Sequence, residues 1–215
     1  MTVQWPVFVT LVLASYISPG PDTVMILRSS VGGRATAMFA ALGALGGLSV
    51  HMIVSAIGLS ALIVAVPGSL TVLSAIGAAY LAYLGIRALV ESRRLRQLAN
   101  NGPTAEHLGT EVQFGIHAFR ATFVTNLTNP KVVLFFVAVL PQFVDRSSSW
   151  PVALQLAILG FIDVVVGVVY LPVLVIFGVK AFRNLGSRGV ARLEFAVGVA
   201  LIVFAVALIV EAFTV

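Results

Sequence analysis

Four ionisable side chains stand deep inside apolar runs, where a charge is hardest to keep: Asp22, His51, Lys131 and Asp163. A charge at the centre of a lipid-facing helix costs at least about 2.5–3.5 kcal/mol, so such residues face a protein interior or a wet cavity and find partners there. Two of them directly follow helix-breaking sequences. "SPGPD" (18–22) sets Asp22 behind Pro19, Gly20 and Pro21, and "NPK" (129–131) sets Lys131 behind Asn129 and Pro130. Pro19 removes a backbone donor and turns Ser18 from helical geometry, and Pro21 does the same to Gly20, so a helix is expected to open at 18–20 and restart at Pro21. Asn129 is a good N-cap and Pro130 a good first helical residue, so a second half-helix is expected to start there. The bare N–H groups and positive dipole ends of two such restarts suit an anionic group such as a carboxylate. A structural proline kink is the alternative for either break taken singly.

The charges narrow the chemistry. The dipole favours Asp22 at the start of a half-helix and disfavours Lys131, so Lys131 is expected to meet an anion, either Asp22 or a substrate carboxylate. Asp163 is a proton-relay candidate; the alternative is a neutral acid that donates a packing hydrogen bond. His51 has the same two readings. Gly43, Gly47, His51 and Ser55 share one helix face, as do Gly160, Asp163, Gly167 and Tyr170, and the small residues on each permit close helix approach. Asn126 and Thr125 precede the second break and stand where they could line a cavity. The candidate substrate-binding set is therefore Ser18, Pro19, Gly20, Asp22, Asn126, Asn129, Pro130 and Lys131, with Asp22, Asp163 and His51 as proton-coupling candidates. Glu194, Glu211 and Arg120 lie near span ends, where snorkelling to water suffices, and receive no role. Tyr80 and Tyr83 read as interface or packing residues.

The elements that must position these groups are membrane helices. The chain has 215 residues, 60% hydrophobic and 10% charged, with a mean hydropathy of +1.08, far from the charged surface of a soluble domain. Spans are expected at Trp5–Leu27, Thr36–Val66, Leu70–Glu91, Gln113–Val144, Pro151–Val179 and Val190–Phe213. The start of the chain lacks the basic region of a secretory signal and reads as a retained first span. Alternate connections are basic: Arg28 and Arg34; Arg93, Arg94 and Arg96; Lys180, Arg183 and Arg188. The positive-inside rule makes these cytoplasmic, and an even number of spans then puts both termini outside. The segment Ser92–Val112, with Asn100-Asn101-Gly102-Pro103, reads as a mobile cytoplasmic loop.

Laying the chain on itself at an offset of 111 sets Phe8 on Phe119, Ser18 on Asn129 and Pro19 on Pro130. The expected fold is thus all-α and integral to the membrane, six helices in two inverted three-helix repeats, with spans 1 and 4 broken at mid-membrane. One transporter domain, 1–215, would comprise repeat 1 (about 1–91), the 92–112 loop and repeat 2 (about 113–215). A net charge of +5 does not indicate nucleic acid, because the cations lie between apolar spans rather than on a face with aromatics to stack bases. With no cysteine and a single histidine, His51, in the membrane core, a transition-metal site lacks ligands, although a cation exporter of this architecture is the alternative reading. No HExxH or GxSxG motif suggests an intramembrane enzyme, no residue is assigned a catalytic role and no cofactor is called for. A passive channel is not distinguished.

The segments "SPGPD" (18–22), "GGRATAMFAALGALGG" (32–47), "GAAYLAYLGIRAL" (77–89) and above all "NPKVVLFFVAVLPQFV" (129–144) resemble the signatures of the LysE/RhtB family of bacterial amino-acid exporters. The resemblance runs along nearly the whole chain. It implies a multi-pass protein of the bacterial cytoplasmic (inner) membrane, exporting amino acids or their derivatives by proton antiport and assembling as a homo-oligomer, a dimer. The family motifs fall on Ser18, Pro19, Gly20, Pro21 and Asp22 and on Asn129, Pro130 and Lys131. In the mechanism this suggests, the substrate carboxylate sits on the half-helix N-termini and Lys131, Asp22 and Asp163 take the ammonium, and Phe135 and Phe136 belong to the apolar walls.

Overall fold

The structure, a computed structural model, describes residues 4–101 and 115–214. Helices α1 (Trp5–Ile17) and α2 (Pro21–Ser29, continued by a 3-10 turn over Ser30–Gly32) meet at a bend of 49°. Helix α3 (Arg34–Val54) runs through a π-turn (Ser55–Leu59) into α4 (Ser60–Ala65), and α5 covers Ser69–Asn101. Helices α6 (Ile116–Thr128) and α7 (Pro130–Leu134) meet at 47°, α7 continuing through a second π-turn (Phe135–Val139) and a 3-10 turn (Leu140–Phe143). Helix α8 (Val152–Thr214) folds back on itself at Gly186, whose φ of 57° suits only a residue without Cβ. Among the described residues four helices are long and apolar enough to cross a membrane, or up to six spans if each bent pair counts as one. The unbroken four are Arg34–Ala65, Ser69–Gln97, Val152–Ala181 and Arg188–Val210. They are spans 2, 3, 5 and 6 below; α1 with α2 is span 1, and α6 with α7 is span 4.

The breaks fall where the prolines put them. Gly20 takes an extended backbone ahead of Pro21, and Asn129 does so ahead of Pro130. One boundary differs from expectation. Helix α5 runs to Asn101, so 92–101 is helical rather than a loop, because one of its faces packs on span 6. Ser92 is buried there with its Oγ donating to the Ala191 carbonyl at 2.6 Å, and the Arg96 guanidinium sits 5.4 Å over the Phe195 ring. The remainder of the expected loop, 102–112, lies outside the described residues.

Two apolar clusters divide the bundle along its length. At the end carrying the basic connections, Ile26, Ala37, Ala40, Ala44, Leu171 and Leu174 pack together, with alanines allowing close helix approach. At the other end Phe8, Ile63, Leu140, Phe143, Leu156 and Leu159 form a larger cluster. Its rings interlock: Phe8 meets Phe143 edge-on at 5.1 Å, and Phe143 stacks on Phe204 at 6.1 Å. Gln155, fully buried, fastens the connection above it by bonding the Asp145 N–H and carbonyl and the Trp150 carbonyl. Both helix breaks lie at the seam between the clusters.

Candidate functional site

The seam encloses a cavity of about 50 Å³, room for a few water molecules or one small polar head group. Its wall takes Ser15, Ser18, Gly20 and Asp22 from span 1, Ala44 and Leu48 from span 2, Asn126, Asn129, Lys131, Phe135 and Phe136 from span 4, and Asp163 and Tyr170 from span 5. Ser18, Gly20, Asn129 and Lys131 also border a second space of about 750 Å³. This vestibule runs from the breaks to Leu27, Leu95 and Val190, near the basic end of the bundle, between spans 1, 3, 4 and 6.

The restarts of spans 1 and 4 hold each other in place. Asn126, on the last turn of α6, donates its Nδ2 to Asp22 Oδ2 at 2.7 Å. Reciprocally, the Lys131 ammonium donates to the carbonyls of Ser15 and Ser18, both at 2.7 Å. Asp22, one of the two anions expected to meet Lys131, is not at pairing distance: among the described residues no carboxylate is, and the ammonium bonds the exposed carbonyl end of α1, where a helix dipole is negative. Sequence spacing hid this because a helix end offers carbonyls without any acidic residue.

The two N-termini are also unlike. The Asn129 side chain accepts the Lys131 backbone N–H at 3.0 Å, so the α7 start is capped by the chain itself and is not the bare donor pair expected. The α2 start has no side-chain cap, and the Asp22 and Thr23 N–H groups remain in the wall of the cavity. Three acceptor atoms there are buried and unbonded: Asp22 Oδ1, Asn126 Oδ1 and Asp163 Oδ2. Each such atom costs about 1–3 kcal/mol unless a donor arrives. Asp22 and Asp163 both line the cavity, from spans 1 and 5, whereas Asn126 Oδ1 lies against Gly47 of span 2.

Asp163 is almost wholly buried, its backbone carbonyl accepting Tyr16 Oη at 3.0 Å, and Tyr16 rests against Tyr170 at 5.3 Å. Helix contact over the small residues is tight. A Cβ on Gly47 would collide with the Asn126 side chain, and one on Gly43 with the Phe119 carbonyl. His51 lies behind the cavity wall, with Nε2 3.4 Å from the Asn126 carbonyl and its ring stacked on Phe136 at 5.6 Å. Thr125 stays out of the wall; Pro19 and Pro130 border the vestibule. Tyr80 Oη donates to the Pro130 carbonyl at 3.1 Å.

Glu194 corrects the sequence reading. Counted from span 6 alone it lies near an end with water in reach, yet it is 4% exposed, set against the break of span 1. Its two oxygens face Ser18 Oγ at 3.4 Å. Tyr16 was likewise not singled out; an aromatic in an apolar helix carries no sign of what it faces.

A family model described as LysE type translocator matches residues 13–212. The chain belongs to that family. It is a multi-pass membrane transporter, not an enzyme. It is 36% identical over 165 residues to an uncharacterized membrane protein of Pseudomonas aeruginosa, covering 75% of this chain and 73% of that one. It is 31% identical over 171 residues to the leucine efflux protein of Salmonella typhimurium, covering 79% and 76%. An uncharacterized membrane protein of Vibrio cholerae is 29% identical over 179 residues, covering 82% and 79%. No solved structure matches.

Proposed function

We propose that the protein exports amino acids across the bacterial inner membrane by proton antiport and alternating access. The observation that carries this is the cavity lined by Asp22 and Asp163, each with one buried carboxylate oxygen left unbonded, beside the uncapped start of α2. A zwitterion answers both features. Its ammonium supplies a donor to Asp22 and to Asp163, its carboxylate takes the Asp22 and Thr23 N–H groups, and its side chain extends past Gly20 into the vestibule. The leucine efflux relative and the leucine-lined vestibule favour an apolar side chain. Lys131 supports the binding set by holding α1 and α7 in register rather than by touching the carboxylate.

The inverted repeat is supported by the reciprocal bracing. At the offset of 111, Ser15 and Ser18 correspond to Asn126 and Asn129. Lys131 of the second repeat bonds the first pair and Asp22 of the first repeat bonds Asn126, so each repeat braces the break of the other, although the offset pairs Lys131 with Gly20 and Asp22 with Val133. With the basic connections cytoplasmic and both termini outside, the vestibule faces the cytoplasm and the interlocked phenylalanines close the outer end. That is a loading state. A proton arriving from outside on Asp22 or Asp163, with His51 behind them, removes the charge that holds the ammonium and lets the substrate leave outward.

Proteoliposomes loaded with labelled leucine and a panel of other amino acids test this under an imposed pH gradient, with and without a protonophore. Saturable, gradient-driven release that Asp22→Asn abolishes is expected. If no amino acid moves while potassium or sodium does, the two carboxylates belong to a monovalent-cation exporter; non-saturable leakage means a channel.

A further inference from the structure

Glu194 plays no part in the scheme above, and its surroundings give it one. The carboxylate is buried in the vestibule wall at the level of the span 1 break. A carboxylate this buried requires a donor or a cation. Its one hydrogen-bonding neighbour is Ser18 Oγ, 3.4 Å from each oxygen, a distance beyond a strong O–H···O bond, and a hydroxyl has one proton for two acceptors. The cations of the vestibule wall are directed elsewhere. Lys131 is held by the carbonyls of Ser15 and Ser18, and Arg87 lies over the Tyr83 ring at 6.0 Å with Nη1 3.4 Å from its hydroxyl. The other vestibular carboxylate, Glu91, has Arg94 at 3.8 Å. Among the described residues no cationic nitrogen comes within pairing distance of Glu194.

From this we infer that Glu194 is a first ammonium-binding station on the cytoplasmic side, separate from the central cavity and loaded before it. The ligand class is a primary ammonium on a short apolar chain, since the space beside Glu194 is walled by Leu11, Leu81, Leu84, Leu134 and Leu201. Ser18 joins the two stations: its hydroxyl faces Glu194, and its residue borders the central cavity. An amino acid entering from the cytoplasm meets Glu194 with its ammonium, then passes Ser18 and Gly20 to Asp22 and Asp163. This rests on the exporter reading for its direction, while capture of an ammonium by Glu194 stands on the vestibule alone.

The experiment uses the full chain in nanodiscs and proteoliposomes, with n-butylammonium and leucine as probes. Glu194→Gln is expected to weaken n-butylammonium binding and raise the KM for leucine export by about tenfold or more, leaving the maximal rate within about twofold. A structural role is separated by charge rescue. The chain has no cysteine, so Glu194→Cys gives one thiol, and a sulfonate-bearing thiol reagent should restore n-butylammonium binding where a neutral reagent of similar size does not. Unchanged binding and KM in Glu194→Gln, or equal rescue by both reagents, overturns the proposal. If wild type moves no amino acid but n-butylammonium binding still depends on Glu194, the exporter reading falls and the ammonium station remains. If leucine is exported normally by Glu194→Gln, the station falls and the exporter reading remains.

Discussion

Asp22 and Lys131 each carry a full charge at a helix restart, and the structure gives them opposite tasks. Asp22 keeps one oxygen free for a ligand, whereas the hydrogen bonds of Lys131 go to main-chain carbonyls. Their substitutions should therefore fail differently. Asp22→Asn removes the charge the ammonium needs and is expected to lower export about 100-fold with the thermal unfolding temperature nearly unchanged, measured by proteoliposome efflux and by unfolding in detergent. Lys131→Met leaves two carbonyls without their donor, at about 1–3 kcal/mol each, and should lower the unfolding temperature markedly. Equal stability of the two variants would assign Lys131 to the substrate instead. The sequence already marked both residues, since an intramembrane charge stands out against any apolar run. It did not reveal their partners: the Ser15 and Ser18 carbonyls have no side-chain signature, and the burial of Glu194 depends on its packing beside Ser18 at the span 1 break.

At the level of elements, the site exists because two helices are broken and one is unusually smooth. Pro19 and Pro21 interrupt span 1, Asn129 and Pro130 interrupt span 4, and Gly43 and Gly47 let span 2 press against span 4. Replacing both Pro19 and Pro21 by Ala should favour a continuous helix through 18–21 and abolish export while membrane insertion persists, read by efflux and by circular dichroism of the purified protein. Asn129→Ala removes the cap on the Lys131 N–H, costing about 1 kcal/mol, and Asn129→Ser should recover most of it in thermal unfolding. Gly47→Val drives a side chain into Asn126 and should reduce substrate affinity more than Gly58→Val, whose added Cβ meets open space. These breaks and small-residue faces were legible from proline chemistry and i,i+4 spacing. The two π-turns were not, since Ser55–Leu59 and Phe135–Val139 carry no proline or glycine pair to announce the extra residue, and their placement depends on helices packed across from them, as where Ser55 Oγ reaches the Phe136 carbonyl at 3.5 Å.

For the whole molecule, the polar seam has an open side and a packed side. The absence of cysteine makes this directly measurable. A cysteine at Leu84, in the vestibule wall, should react with a membrane-impermeant thiol reagent applied to inside-out vesicles, and one at Phe143, in the packed end, should stay protected until a substrate and a proton gradient drive turnover. Fast labelling of Phe143→Cys at rest would contradict a loading state. The apolar helices and the basic connections between them were readable from composition, whereas the packed end depends on ring interlocking that no hydropathy profile contains.

In the proposed binding mode, the ammonium, the carboxylate and the side chain of the substrate go to three chemically unlike places: oxygen acceptors, backbone donors and leucine side chains. A tetrahedral carbon whose ammonium, carboxylate and side chain are each claimed by one of these has only one way to fit. The site is thus built to read handedness, and racemic leucine loaded into the same vesicles should leave behind an enantiomeric excess.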